Sequence, residues 1–194
     1  ELLDKGRVML ERNYSGDPRM LVGLLVELSQ RYSELGDTKY RAQLLDRAES
    51  LAVSQRDTVA LAGVRCNKAD NARMEGRYSD AWAIMAGTEA LFRARPDPEG
   101  EVACLQILSF LAGETGRGEE GAAAIRRALD LVDSMGTTNG ALDADLLADL
   151  GSALSSQRKT REAAATYLRA MVAMDSGGRG GTMTRAIVQH NYAL

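Results

Sequence analysis

The sequence is poor in the residues that catalytic, metal-binding and disulfide-rich domains use. Its 194 residues include 2 Cys and 1 His. Cys66 and Cys104 lie far apart, so neither a zinc ligand set nor a disulfide framework is expected, and both should be small buried thiols. His190 has no Cys or Ser in a recognisable nucleophile turn with which to form a triad. We therefore predict no catalytic residue, metal site or cofactor.

A strong charge imbalance and a long apolar run are also missing. There are 24 basic and 27 acidic residues, and the net charge is -3. This balance lacks the basic footprint of nucleic-acid binders. The longest apolar run, at 20–26, is interrupted by Gly23 and is too short to cross a bilayer. Since the sequence also shows no secretion signal, we predict no nucleic-acid partner, no membrane segment and a cytoplasmic location.

Helix formers dominate what is present, because aromatic residues make up only 5% of the chain and Pro only three positions. Apolar residues recur every three or four positions, as at Leu105, Leu108 and Leu111. No segment alternates with period two for long enough to form a strand. The sequence therefore predicts an all-α fold. Helical patterns reach both ends, so we expect the chain to be an excerpt from a longer polypeptide.

An internal repeat organises these helices. Similar segments at 32–37, 72–77 and 112–117 are spaced by 40 residues, and the segment at 154–159 follows 42 later. A small residue precedes each segment, and a large apolar residue and then a small one follow it. The small residues before it are Ser29, Ala69, Ser109 and Gly151, the large ones Leu45, Met85, Ile125 and Tyr167, and the small ones after it Ala48, Thr88, Ala128 and Ala170.

That order predicts antiparallel helix pairs that turn at Gly36, Gly76, Gly116 and Arg158. Small residues let helices approach, and glycine provides the left-handed cap that ends the first helix. We predict one domain over residues 1–194 with the following parts. They are a leading helix at 1–13, pairs at about 18–55, 58–94, 98–135 and 141–175, and a partial repeat at 182–194.

These residues resemble the tetratricopeptide repeat (TPR) family. The match is best at Leu147, Leu150, Gly151, Leu154, Ala163, Tyr167 and Ala170. The resemblance implies a right-handed α-solenoid that acts as a protein-interaction scaffold. The chain departs from the family by placing Arg41 where the second helix usually has Ala, and Arg65 and Lys68 at positions that are usually apolar. The long period is similar to the TPR regions of large bacterial signalling proteins.

In such a stack the first helix of each pair lines a concave surface, where side chains are not needed for packing. Counting back from the turns gives the candidate peptide-binding groove. Its residues are Gln30, Asn67, Asp70, Arg73, Gln106, Phe110, Asp149 and Ser152, and His190 and Asn191 would extend it. Asn67 occupies the position of an Asn in carboxylate-clamping family members, although the partner lysines of that clamp are missing.

Within this groove, we expect Arg73 to offer a forked contact to a partner carboxylate and Phe110 a flat apolar anchor. Asn67, Asp70, Arg73 and Phe110 should be accessible on one surface. A merely solvated face is the competing interpretation of each residue. The acidic set Asp143, Asp145 and Asp149 lacks the spacing of a calcium loop, and Gly177 to Gly181 is interpreted as a loop because it lacks a P-loop lysine.

The sequence thus favours a non-catalytic scaffold that binds a protein or peptide, within a larger signalling or regulatory protein. The alternative is an oligomerisation or structural module that packs through uncapped terminal helices into a homo-oligomer. The apolar residues that motivate the alternative are Leu2, Leu3, Val8, Met9 and Leu10 at one end, and Ile187, Val188, Tyr192 and Leu194 at the other.

Overall fold

The computed structural model describes residues 2–136 and 140–176, together with 188 and 192. Every regular element in those residues is an α-helix, which confirms the all-α prediction. The helices are α1 (Leu2–Asn13), α2 (Pro18–Glu34), α3 (Thr38–Ser54), α4 (Thr58–Met74), α5 (Tyr78–Ala94), α6 (Pro98–Glu114), α7 (Gly118–Met135), α8 (Gly140–Ser156) and α9 (Thr160–Ser176).

The chain divides into two compact units, Glu1–Gly100 and Glu101–Leu194. The first contains α1 to α5, and the second contains α6 from Glu101 onward and α7 to α9. The described helix pairs lie where the repeat spacing put them. The predicted continuity of one domain over 1–194 stays a prediction, and the partial repeat at 182–194 lies outside the described residues except for Val188 and Tyr192.

The turns inside the pairs follow from backbone chemistry. Gly36, Gly76 and Gly116 adopt φ angles of +72°, +72° and +73°, and Arg158 adopts +59°. The next residue then donates its N–H to a carbonyl in the last helical turn, as Arg77 does to Ala72 at 2.8 Å, which is the hydrogen bond of a left-handed helix cap. The four predicted turns are confirmed.

Aspartate side chains cap the start of three helices of the first unit. Asp17, Asp37 and Asp57 precede α2, α3 and α4, and each accepts a hydrogen bond at 3.0–3.1 Å from the backbone N–H three residues later. These bonds satisfy donors that a helix start leaves unpaired. The first helices α2 and α4 therefore have a defined start at an aspartate and a defined end at a left-handed glycine.

The repeated small residues are where the helices of a pair meet. Ser29, Ala69, Ser109 and Gly151 are all buried, and so are Ala128 and Ala170. The closest approach is at Gly151, where an added Cβ would lie 2.5 Å from Cε1 of Tyr167. The predicted sequence of small, turn, large and small residues therefore describes the real packing of the pairs.

Two further predictions from the sequence can be compared with the structure. Cys66 and Cys104 are buried as expected, but neither is a free thiol, so the expectation of two free thiols is wrong. Among the described helices, none is long and apolar enough to span a membrane.

Candidate functional site

In the first unit, the candidate groove residues lie on the first helices α2 and α4. Gln30 is exposed on α2, and Asn67, Asp70 and Arg73 are half-buried on α4. The spacing of three residues places the last three on one stripe of α4. We call these four residues the first-unit face.

Arg41 of α3 reaches this face from inside the unit. Only 2% of its surface is exposed, and its Nη2 lies 2.9 Å from Oδ2 of Asp70. The same nitrogen donates to Oδ1 of Asn67 at 3.4 Å, and Nη1 donates to the sulfur of Met74 at 3.1 Å. A buried charge needs a counter-charge and hydrogen-bond partners, and the first-unit face supplies them to Arg41.

Asp70 is also paired on its other side. Nε and Nη2 of Arg73 lie 2.9 and 2.8 Å from Oδ1 of Asp70, and Nδ2 of Asn67 donates to the carbonyl of Gly63 at 3.0 Å. The expectation that these three side chains are not needed for internal contacts is therefore wrong. Whether they also bind a partner stays a prediction. The signal for this network was visible in the sequence as the Arg that replaces a usual Ala at position 41.

The two other departures in the first unit have a related explanation. Arg65 and Lys68 of α4 both pair with Glu49 of α3, at 3.0 and 2.6 Å, and Lys68 also lies 2.7 Å from Asp46. Burial would raise the pKa of Glu49, but hydrogen bonds from Lys68 and Arg65 outweigh it and the pKa is lowered. This cluster lines a cleft of about 400 Å³ with α5 residues, and its charges bridge α3 to α4.

In the second unit, the candidate residues lie on the first helices α6 and α8. Nε2 of Gln106 donates to Oδ2 of Asp149 at 3.2 Å, so the two helices are joined by a polar contact. Burial raises the pKa of Asp149 to about 6, against the opposing effect of the Gln106 hydrogen bond and with a further increase from the charge of Asp145. A carboxylate with such a pKa is held away from water.

Phe110 and Ser152 flank this pair. Phe110 follows Gln106 by one turn of α6 and is 44% exposed, as predicted. Ser152 follows Asp149 on α8, is exposed, and accepts a hydrogen bond from the Tyr167 hydroxyl at 3.2 Å. We call Gln106, Phe110, Asp149 and Ser152 the second-unit face. Unlike the first-unit face, it combines an accessible aromatic ring with a desolvated carboxylate.

The repeat shows how the two faces correspond. Asn67 and Asp149 each lie nine residues before the left-handed residue that ends their first helix. Arg41 lies five residues after Gly36, and the matching position after Gly116 is Gly121. An added Cβ at Gly121 would meet the Cβ of Ala112 and the carbonyl oxygen of Ser109 at 3.2 Å. At this position the described helix α7 therefore has no equivalent of the Arg41 side chain.

The remaining sequence candidates do not form a site in the described part of the chain. No group of three or more His, Cys, Asp or Glu residues among the described positions could hold a metal ion. His190, Asn191 and the glycines at 177–181 lie outside the described residues.

Comparisons with known proteins identify the fold. No family model and no curated protein sequence matches the chain. Among solved structures, BtubC (BKLC) from P. vanneervenii is similar over 98% of this chain and 78% of its own, with a TM-score of 0.83 and 17% identity. The nearly identical TPR-like repeats of a Podosopora anserina kinesin light chain structure match over 87% and 82%, with a TM-score of 0.70 and 14% identity. The chain thus has the fold of TPR-like repeat proteins, an all-helical α-solenoid.

Proposed function

We propose that this chain is a non-catalytic scaffold that binds a protein or peptide segment along the first helices of its pairs. The TPR-like repeat fold is generally a protein-interaction scaffold. The observation that carries the proposal is the second-unit face, where an exposed Phe110 lies one turn from the contact between Gln106 and Asp149. An aromatic ring beside polar groups on rigid helices is the usual composition of a binding hot spot.

The helices favour binding because they present these side chains in a preformed arrangement. Ser152 is held by Tyr167, and Gln106 is held by Asp149. A surface that is ordered before binding loses little conformational entropy when a partner arrives. Several small contacts can therefore add up to a useful affinity.

The wider setting is also part of the proposal. We propose that the scaffold belongs to a larger bacterial signalling or regulatory protein that works in the cytoplasm. The resemblance to long-period TPR regions supports the signalling role, whereas the lack of a free thiol removes one argument for a reducing compartment. Fractionation of cells that express the full parent protein tests the location directly.

A phage-displayed library of random 12-residue peptides, selected on the immobilised full chain, tests the binding function. We expect enrichment of related peptides, and about tenfold weaker binding of those peptides after Phe110→Ala, since aromatic anchors dominate such interfaces. Leu168→Ala is the control, because Leu168 is equally exposed but lies on the second helix α9. No enrichment, or equal losses in both variants, would reject the proposal.

Oligomerisation is the second candidate, and one feature favours it. Val8 and Met9 on α1 are 54% and 61% exposed, and an exposed apolar patch on a helix is a typical self-association surface. Sedimentation at increasing concentration should then show dimers in the wild type and monomers after Val8→Asn with Met9→Ser. A monomeric wild type at all concentrations would eliminate this alternative.

A further inference from the structure

The geometry points to a cationic partner: we propose that the second-unit face binds a Lys or Arg side chain of the bound segment, with Asp149 as its counter-charge. The inference rests on the proposed binding function and specifies the chemistry of the ligand at one position. It concerns a contact between the partner and residues of α6 and α8 only.

Asp149 has unused capacity to accept hydrogen bonds. Its Oδ2 receives the Gln106 amide at 3.2 Å, whereas a carboxylate offers about four acceptor positions. Among the described residues, neither Lys nor Arg pairs with it, and the charged neighbour that acts on it is Asp145. Among the described residues, Asp149 therefore has a hydrogen-bond donor but no positively charged partner.

The first unit shows what this repeat does with a carboxylate when the cation is internal. There Arg41 extends from α3 to Asp70 on the next first helix, at 2.9 Å. In the second unit the matching position is Gly121, which packs closely against Ser109 and Ala112, and the matching position of the last pair is Ala163. Since neither residue has a charged side chain, the described second helices of this unit supply no cation from that position, and we assign that role to the partner.

The neighbours of Asp149 suit an extended cationic side chain. Phe110 lies one turn beyond Gln106 on α6, and its exposed ring can pack on the methylene groups or the charged head of Lys or Arg. Ser152 lies one turn beyond Asp149 and adds a hydroxyl that Tyr167 holds in place. An ammonium or guanidinium group would meet a carboxylate, an aromatic ring and a hydroxyl.

The electrostatic state of Asp149 agrees with this assignment. Its pKa is raised to about 6 by burial, so at neutral pH Asp149 is an ionised, partly desolvated carboxylate that pairs with no Lys or Arg of the described residues. A group in this state destabilises the free protein, and an arriving cation removes that cost. Ionisable groups whose pKa is strongly shifted by their surroundings are common at functional sites.

The test compares the wild type with Asp149→Asn in the same peptide selection. The Asn oxygen still accepts the hydrogen bond from Gln106, so the fold should be kept, and a thermal melt verifies this. We expect peptides selected by the wild type to share a Lys or Arg, and to bind Asp149→Asn about 10- to 100-fold more weakly. Replacing that Lys or Arg by norleucine or citrulline in the peptide should produce the same loss.

Asp143→Asn is the matched control, because it removes the same charge from another face of α8. Equal losses in both variants would mean a general field effect and would overturn the inference. Enriched peptides without a shared cation would overturn it while leaving the binding function intact, whereas no enrichment would reject the binding function itself. If Arg179→Gln with Arg185→Gln removes the effect of Asp149→Asn on stability, the counter-charge is this chain's own, and the inference fails.

Discussion

The two units use one repeat position in opposite ways. In the first unit that position is Asn67, and the carboxylate one turn further along, Asp70, is neutralised by Arg41 and Arg73. In the second unit the same position is Asp149, which has a hydrogen bond from Gln106 and a raised pKa. Both positions lie on the first helix of a pair, and the preceding second helix supplies Arg41 in the first unit but Gly121 in the second.

This difference separates a structural role from a binding role. A polar network with internal counter-charges contributes to the stability of the unit in which it lies. A desolvated carboxylate without a cation costs stability, and natural proteins often retain such costs where they bind or react. We therefore expect substitutions in the first-unit network to destabilise the protein, and removal of the Asp149 charge to stabilise it.

The largest expected effect is the loss of the buried pair in the first unit. Asp70→Asn leaves the charge of Arg41 buried without a counter-ion, which should lower the free energy of unfolding by about 3 kcal/mol. Urea denaturation at pH 7 measures this. Glu34→Gln is the control, because its partner Arg31 is exposed and such pairs contribute about 0–1 kcal/mol. Equal effects would mean that Arg41 does not depend on Asp70.

Arg41→Met sharpens the same comparison. Methionine fills much of the volume and removes the buried charge, so the loss should be smaller than for Asp70→Asn. Asp70 would keep its contact with Arg73 at 2.8 Å. A larger loss for Arg41→Met than for Asp70→Asn would contradict the view that the uncompensated charge is the main cost.

The next effect concerns the packing that positions the second-unit face. Gly151→Ala would place a methyl group 2.5 Å from Cε1 of Tyr167, and overpacking should cost about 2 kcal/mol. It should also disturb the hydrogen bond from Tyr167 to Ser152. Gly23→Ala is the control, since no atom lies within 4 Å of its added Cβ, and alanine should stabilise this helix by about 0.5–1 kcal/mol. Loss of stability in both variants would contradict the close approach at Gly151.

Part of this arrangement could be predicted from the sequence. The helix pairs, the four turns and the buried small residues follow from a repeat that can be recognised from the spacing and type of its residues. The contact between Asp70 and Arg41 could not be predicted, because Asp70 lies on α4 and Arg41 on α3, and only the fold brings the two together. Phe110 was identified as an exposed aromatic residue, but the sequence did not indicate that Asp149 would be desolvated, since burial depends on neighbouring helices.

The pH dependence of stability tests the state of Asp149. The ordinary pKa of an aspartate side chain is 3.8, and burial raises that of Asp149 to about 6 in the folded protein. Between these values the folded protein binds more protons than the unfolded chain, so this group lowers the free energy of unfolding as pH rises. Asp149→Asn should nearly match the wild type around pH 4 and exceed it by about 2–3 kcal/mol at pH 7.5. Guanidinium denaturation across this range measures the difference.

Asp145→Asn provides the control for that experiment. It removes a neighbouring charge that raises the pKa of Asp149, so it should move the pH-dependent step slightly downward without abolishing it. A wild-type stability that does not fall between pH 4 and pH 7.5 relative to Asp149→Asn would mean that Asp149 is solvated or paired. That result would remove the contrast between the two units.

The smallest effect distinguishes the turns that end the first helices. The first unit turns at Gly76, whereas the second ends its last pair's first helix with Arg158 at a φ of +59°. The left-handed conformation costs a residue with a side chain about 1–2 kcal/mol, and glycine avoids this cost. Glycine also gives the unfolded chain more conformational entropy, which offsets part of the gain. Arg158→Gly should therefore stabilise the protein by about 0.5–1 kcal/mol. Gly76→Ala should have the opposite sign, with no steric contribution because its added Cβ meets no atom within 4 Å. Thermal melts of both variants at one pH measure the pair, and equal signs would contradict a conformational origin.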